Sequence, residues 1–476
     1  MTYYFYDTET SGVNPREARV MQFGGQRTDK NLQPIGGPDN FIIKLTPDVL
    51  PDPDAILTHG ITPQKTIEDG ITEAEFFKLF NQQIATADTI FVGFNNIRFD
   101  DEFIRFGLWR NFYDAYEWQW KEGAGRWDLL DVVRMTRALR PDGIVWPQKD
   151  ADNRLEILAK INKLKHADAH DALSDVKVLI DLTRLLRDKQ PKLFDYLLNL
   201  RDKKKLEPFI KAGSPFVYTS GKYPKETLHT TIATVVDDHP KKSGVFVYDL
   251  RIDPTPFLKL SADELAELWR YKPWKTDAER PPRFPLKELA FNKCPAVAPL
   301  SVLDEPSRGR LQLNMDEVEA NFKKLSGAKG FGAKLIEAWR KLYPEAKPTA
   351  KINELTVDSQ LYDGFIADAD RIKMRAVRAA QPEELTEFIS DFNDERLKVL
   401  LPLYKARNYP RSLSAEEQAA WENFCTRKLS LGGEQSRANK IFNRLAQLKA
   451  EPSLNNQQRY LLEELSLYGQ SVIPVE

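Results

Sequence analysis

The stretch Tyr3-Tyr4-Phe5-Tyr6-Asp7-Thr8-Glu9 joins a short aromatic run of strand character to two carboxylates. Side chains along a strand alternate between its two faces, so Asp7 and Glu9 project from the same side. Two neighbouring carboxylates repel unless a cation or a proton lies between them. By itself the pair also fits an ordinary solvated strand end, so its meaning depends on what else the chain brings to that face.

A second strand is expected at Thr89-Ile90-Phe91-Val92-Gly93-Phe94, almost continuously apolar and therefore buried. It leads into Asn95-Asn96-Ile97-Arg98-Phe99-Asp100, where Asp100 closes the strand unit and adds a third carboxylate. Periodicity does not separate Asp100 from its neighbour Asp101. Between the two strands, Glu73 to Ile84 reads as a helix with Phe76, Phe77 and Phe80 on one side. Asp171 to Arg187 reads as an amphipathic helix ended by Gln190-Pro191. Within it Asp175 shares spacing i+4, i+7 and i+11 with Leu179, Leu182 and Leu186, which places a fourth carboxylate on the apolar stripe. A buried, unpaired carboxylate costs on the order of several kcal/mol or takes up a proton. An arginine could neutralise it, and so could a divalent cation held jointly with Asp7 and Glu9. His170, five residues ahead of Asp175, belongs to the preceding loop and is placed over that site; a capping or surface histidine is the alternative.

The 476 residues suggest about three domains. With 42% hydrophobic and 29% charged residues the chain has enough apolar material for packed cores. No apolar run approaches the ~20 residues that span a bilayer. Two cysteines, Cys294 and Cys425, are too few for a disulfide framework, and a reducing cytoplasmic setting is expected. The overall net charge of −1 conceals a division: residues 1–190 carry −6, residues 191–346 carry +6 and the remainder −1. A carboxylate-rich site beside an anion-attracting surface accounts for that pattern, as does chance fluctuation of solvated faces. The organisation expected is an α/β domain over 1–190, a small β-rich domain with helical additions over 191–346, and an α-helical domain over 347–476. The middle part rests on Phe216–Thr219, Thr230–Val236 and Gly244–Tyr248 as strands and Ser261–Tyr271 as a helix. Between Trp109 and Trp127 lie seven aromatics, interleaved with or flanked by Arg105, Arg110, Arg126 and Arg134. Such a cluster supplies core, and it also suits stacking on bases and pairing with phosphates of a single strand.

The order Asp-x-Glu, Asp, His-x4-Asp resembles the exonucleases of ribonuclease-H-like fold named for four acidic residues, in the subclass with a histidine. The likeness extends to Asp171-Ala172-Leu173-Ser174-Asp175, Gly93 through Glu102, Arg126-Trp127-Asp128-Leu129-Leu130-Asp131, Leu139-Arg140-Pro141 and Gln190 through Tyr196. Further matches are Asn292-Lys293-Cys294-Pro295, Gln360 through Phe365 and Tyr404 through Pro410. These resemble bacterial exodeoxyribonuclease I over nearly the whole chain.

The resemblance implies a ribonuclease-H-like nuclease domain, an SH3-like domain and a helical C-terminal domain. It implies a 3′→5′ exonuclease on single-stranded DNA serving repair and recombination, with an RNA-trimming exonuclease or an inactive single-strand-binding module as alternatives. Asp7, Glu9, Asp100 and Asp175 would hold two Mg²⁺ (Mn²⁺ as the alternative), since hard oxygen donors without thiolates favour those ions over zinc. His170 would act as general base. Arg105, Tyr116, Trp120, Arg134 and Arg154, together with Glu9, would contact the strand. Arg140 and Tyr196 match a surface that docks the acidic tail of single-stranded DNA-binding protein. A monomer without membrane attachment is expected.

Overall fold

The computed structural model describes residues 1–148, 153–164, 171–270, 284–344 and 352–473. They fall into two compact units. One comprises residues 1–125, 165–180 and 350–476, the other residues 126–164 and 181–349, as far as these are described.

In the first unit, β1 (Thr2–Thr10) pairs antiparallel with β2 (Val20–Thr28), which pairs antiparallel with β3 (Asp39–Ile42). On its other edge β1 runs parallel to β4 (Thr89–Gly93). β1 is therefore longer than its aromatic run and carries Asp7 and Glu9 inside the sheet. Its register with β2 shifts between Glu9 and Thr10, a bulge beside the acidic pair. The aromatic alternation fills one side of the sheet: Tyr4, Tyr6, Phe23, Phe76, Phe77, Phe80, Phe91, Phe103 and Trp118 form one core. The expected helix at Glu73 is present over Glu73–Leu79, opened by a capping box between Thr72 and Glu75, and continues as a wider turn over Phe80–Ile84.

The structure differs at Asp100. The strand ends at Gly93, a tight turn spans Asn96–Arg98, and Asp100 opens the helix Asp100–Arg110. That helix is buried on two sides. Phe103, Ile104 and Leu108 join the sheet core, while Phe106 and Trp109 join a second core with Leu397, Leu400, Leu401, Tyr404 and Trp421 from the C-terminal helices. The helices Glu395–Asn408, Ala415–Ser430, Arg437–Lys449 and Asn456–Val472 thus share a compact unit with the sheet that carries the acidic pair.

A buried charge cluster joins these parts. Arg407 pairs with Asp48 and Asp358 at 2.8 Å each. Arg19 meets Asp358 at 2.8 Å, and Lys428 meets Asp48 at 2.6 Å. Burial opposes ionisation of both aspartates, but the surrounding cations, Arg407 foremost, hold each carboxyl well below its usual range.

In the second unit, β5 (Gly125–Asp128) begins at the unit's boundary and leads into the helix Leu129–Leu139. A five-stranded antiparallel sheet follows, built of β6 (Phe216–Thr219), β7 (Thr230–Asp238), β8 (Gly244–Asp249), β9 (Leu286–Ala290) and β10 (Ala296–Pro299) in the order β10-β6-β7-β8-β9. The expected strands at 216, 230 and 244 are all present. The helix expected from Ser261 runs over Ala262–Trp269, with Ser261 as its cap; Tyr271 lies outside the described residues. No described helix is long and apolar enough to cross a membrane.

Candidate active site

Asp7, Glu9 and Asp175 converge, each offering a carboxylate oxygen so that these atoms lie within 4.8 Å of one another. Strand alternation sets the first two side by side, and the helix Ala172–Lys189 delivers the third from its first turn. Leu179, Leu182 and Leu186 on the same stripe are each 1% exposed, which fixes the helix rotation that aims Asp175 inward. A helix N-terminus also favours the negative charge gathered there.

How close this helix comes to the sheet depends on Gly24. A Cβ at that position would lie 2.5 Å from the backbone of Ala172 and Leu173, closer than atoms approach. Gln22, opposite Glu9 in the strand register, finishes the seating. Its amide donates to Asp171 Oδ1 (2.7 Å), and its carbonyl accepts from the backbone N–H of Ala172 (3.2 Å). Asp171 Oδ2 in turn accepts from the Ser174 N–H (2.9 Å), capping the helix.

Asp100 and Asp101 separate by their partners. Asp101 is fully buried and accepts hydrogen bonds from the Tyr6 hydroxyl and from Asn96 Nδ2 (3.3 Å). Asp100 Oδ1 accepts from the Thr8 hydroxyl (2.6 Å) and the Thr8 N–H (3.1 Å), which holds it beside Asp7 and Glu9. Among the described residues, no arginine or lysine forms an ion pair with Asp7, Glu9 or Asp100.

The cost of gathering these acids appears in their protonation. Burial, then repulsion from Asp175, Asp100 and Asp171, pushes Glu9 up to about 9. Burial, followed by Asp100, Glu9, Asp175 and Asp171, pushes Asp7 well above the usual carboxylate range. Asp100 rises to about 7 through burial and Asp101, against the lowering effect of the Thr8 hydrogen bonds. Hard oxygen donors, strained by one another and lacking these counter-cations, fit a divalent cation such as Mg²⁺.

Other expected residues have these surroundings. His170 lies outside the described residues. Arg105 is held by Glu102 (2.6 Å), Gln119 Oε1 (2.7 Å) and the Tyr362 hydroxyl (3.4 Å), with its guanidinium 5.6 Å from the centre of the Tyr116 ring. Trp120 is 63% exposed, whereas Trp109, Phe112, Trp118 and Trp127 are core. Arg134 pairs with Asp131 (2.7 Å) and packs against Gly221, and Arg154 pairs with Glu156 (3.0 Å). Arg140 donates to the Val302 carbonyl (2.8 Å) and to Asp304 (3.3 Å). Tyr196 is partly buried against the core of the second unit, and burial raises its hydroxyl to about 12.

Sequence reasoning passed over Thr8, Gln22 and Asp171 as parts of the site. A signal was present for two features. Gly24-Gly25 inside a strand marks close backbone approach, and Asp171-x-x-Ser174 has the form of a helix cap. Nothing local marks Thr8 or Gln22, whose roles arise from cross-chain contacts.

Residues 4–183 match the family described as "Exonuclease", residues 201–343 the "Exonuclease I SH3-like domain" and residues 355–472 the "Exonuclease I C-terminal domain". The chain is 38% identical to the exodeoxyribonuclease I of Escherichia coli over 426 residues, 88% of each chain. It is 35% identical to that of Haemophilus influenzae over 474 residues, 98% of each. Its structure resembles a moderately thermophilic exonuclease I from Methylocaldum szegediense, with a TM-score of 0.91 and 39% identity over 99% of this chain and 100% of that one. It likewise resembles E. coli exonuclease I in complex with a dA16 oligonucleotide, with a TM-score of 0.91 and 35% identity over 99% and 100%. The zinc-bound form of the E. coli enzyme with single-stranded DNA gives 0.92 and 35% over 99% of both chains. The fold expectation of a ribonuclease-H-like nuclease domain followed by SH3-like and helical C-terminal domains is met.

Proposed function

The chain belongs to the exodeoxyribonuclease I family and is a nuclease, and on that premise we propose that it removes nucleotides from the 3′ end of single-stranded DNA by metal-dependent hydrolysis. The observation that carries this reading is the convergence of Asp7, Glu9 and Asp175 within 4.8 Å, with Asp100 held beside them by Thr8. A deposit of carboxylates at this expense in protonation is hard to explain as structural support.

We assign Asp7, Glu9, Asp100 and Asp175 as the residues that hold two Mg²⁺, with Mn²⁺ able to substitute. When bound, such ions neutralise charge on the phosphodiester and lower the pKa of a coordinated water. The chain's own residues prepare the site. Thr8 orients Asp100, Gln22 and Asp171 seat the helix that carries Asp175, and the aromatic core behind β1 keeps the Asp7–Glu9 face rigid. His170 takes the proton of the attacking water, a task suited to an imidazole with a pKa near ~6.5.

Trp120 and Tyr116 offer faces to bases, while Arg105, Arg134 and Arg154 meet phosphates. Stacking accepts any base, so the enzyme has little sequence preference. Residues 1–190, 191–346 and 347–476 serve as nuclease, SH3-like and helical domains. The setting is cytoplasmic repair and recombination by a monomer, with Arg140 and Tyr196 offered to the acidic tail of single-stranded DNA-binding protein.

Digestion of matched DNA and RNA oligonucleotides, labelled at each end, with Mg²⁺ and with EDTA, tests the reading. DNA shortening from the 3′ end only with Mg²⁺ is expected. Preferential RNA trimming, 5′ shortening or binding without hydrolysis overturns it.

A further inference from the structure

Tyr6 stands immediately before Asp7 on β1, and strand alternation turns it away from the acidic face and into the sheet core. Its ring is fixed from three sides, stacked on Phe23 (ring centres 6.0 Å apart) and edge-on to Phe91 (6.3 Å) and Trp118 (6.4 Å). Phenylalanine would serve that packing equally well. The hydroxyl, on a residue only 1% exposed, needs a partner: it donates to Asp101 Oδ1 and accepts from Asn96 Nδ2 (3.1 Å). Asn96 also donates to that same Asp101 oxygen (3.3 Å). It is fully buried, and Gly93 at the end of β4 leaves it room, since a Cβ on Gly93 would lie 2.5 Å from the Asn96 Cβ.

This network bears on the acidic cluster through Asp100. Tyr6 and Thr8 are two apart on β1, and they engage the adjacent residues Asp101 and Asp100 in the first turn of the helix Asp100–Arg110. Both Thr8 hydrogen bonds go to one oxygen, Asp100 Oδ1, and leave the helix free to turn about that point. The Tyr6 bond, one residue along, removes this freedom. Successive helical residues point about 100° apart, so holding both acids fixes one rotation of the helix start against β1. Phe103, Ile104 and Leu108 attach the same helix to the sheet core, but apolar contacts are non-directional and tolerate sliding, whereas hydrogen bonds weaken steeply when misaligned.

We propose that Tyr6 is a positioning residue for the cation site: its hydroxyl, acting through Asp101, sets the rotation at which Asp100 is presented to Asp7 and Glu9. Tyr6 takes no part in the chemistry itself. The proposal rests on the exonuclease reading above for what the site does, and its test reads cation binding directly.

Tyr6→Phe removes one oxygen from a clamped ring. Isothermal titration of Mn²⁺ into the metal-free variant is expected to show about tenfold weaker binding than wild type, and kcat on a single-stranded oligonucleotide at saturating Mn²⁺ falls about tenfold. KM stays the same, as does affinity for that oligonucleotide in EDTA, since no strand contact is altered. A purely structural role would lower the unfolding temperature and leave Mn²⁺ affinity at the wild-type value. Asp101→Asn keeps an oxygen for the Tyr6 hydroxyl and is expected to cost less Mn²⁺ affinity than Tyr6→Phe. Asp101→Ala, which removes that acceptor, repeats the Tyr6→Phe result and carries the test if Tyr6→Phe does not fold. Wild-type Mn²⁺ affinity in folded Tyr6→Phe or Asp101→Ala overturns the proposal. A larger loss in Asp101→Asn than in Tyr6→Phe also overturns it, by making Asp101 a ligand in its own right. Wild-type protein that binds Mn²⁺ yet leaves single-stranded DNA intact defeats the exonuclease reading, while the Mn²⁺ affinities still decide the role of Tyr6.

Discussion

Removing divalent cations from the protein leaves its acidic cluster to relieve repulsion by holding protons. With Glu9 raised to about 9 and Asp100 to about 7, Glu9 is protonated at pH 7 and Asp100 is near half-protonation. A cation bound among these oxygens must displace those protons, so binding at pH 7 releases about one to two from Glu9 and Asp100, and Asp7, raised in the same direction, adds to that number. Each displaced proton makes apparent affinity rise about tenfold per pH unit, which gives roughly 100-fold or more between pH 6 and pH 8. The same shifts set the sign for stability. A carboxyl raised in the folded state binds more protons folded than unfolded, so between about pH 4.5 and pH 9 the metal-free protein loses stability as pH rises. Mg²⁺ removes this loss, and the gap in Tm between metal-loaded and metal-free protein widens from pH 6 to pH 8. Isothermal titration of Mg²⁺ or Mn²⁺ into the metal-free protein, in buffers of different ionisation enthalpy, counts the protons directly. Glu9→Gln should lower that count by about one at pH 7. Binding heats independent of buffer, or an affinity flat across this pH range, would falsify the account of the cluster as a proton-strained cation site.

Three other outcomes are expected. His170→Ala is expected to bind oligonucleotide normally but to turn over about 100-fold more slowly, measured by single-turnover digestion; unchanged turnover removes the histidine from the chemistry. Trp120→Ala, altering a side chain 63% exposed, should weaken single-strand affinity about tenfold while leaving the rate on saturating substrate intact, and unaltered affinity would assign Trp120 to packing. Asp358→Ala strands Arg19 and Arg407 in a buried setting and should cost about 3–5 kcal/mol by denaturant unfolding. Because the Asp358 carboxyl is held well below its usual range, its stabilisation is present above about pH 4 and is lost as pH falls toward the folded-state pKa. A loss under about 1 kcal/mol would mean that the cluster does not tie the helical part to the sheet.

The legible parts of the site were those governed by spacing along one element. Period-two alternation put Asp7 and Glu9 on one face, and helical period put Asp175 with Leu179, Leu182 and Leu186; the structure has both arrangements. Asp100 was legible as an acid but not as the first residue of a helix. The turn Asn96–Arg98 begins with Asn95 in the left-handed region, a local conformation that apolar patterning does not encode.

What the linear chain determined by itself was the donor chemistry and which carboxylates could share a face, because both follow from residue type and from the short-range periodicities of strand and helix. Tertiary structure alone decided which of Asp100 and Asp101 stands with the pair, since that depends on Thr8 engaging one and Tyr6 the other across some ninety residues. It also decided how near Asp175 comes, through the missing Cβ of Gly24 and the bridge from Gln22 to Asp171. Such contacts depend on how packed surfaces meet, and no pattern confined to one segment carries that information.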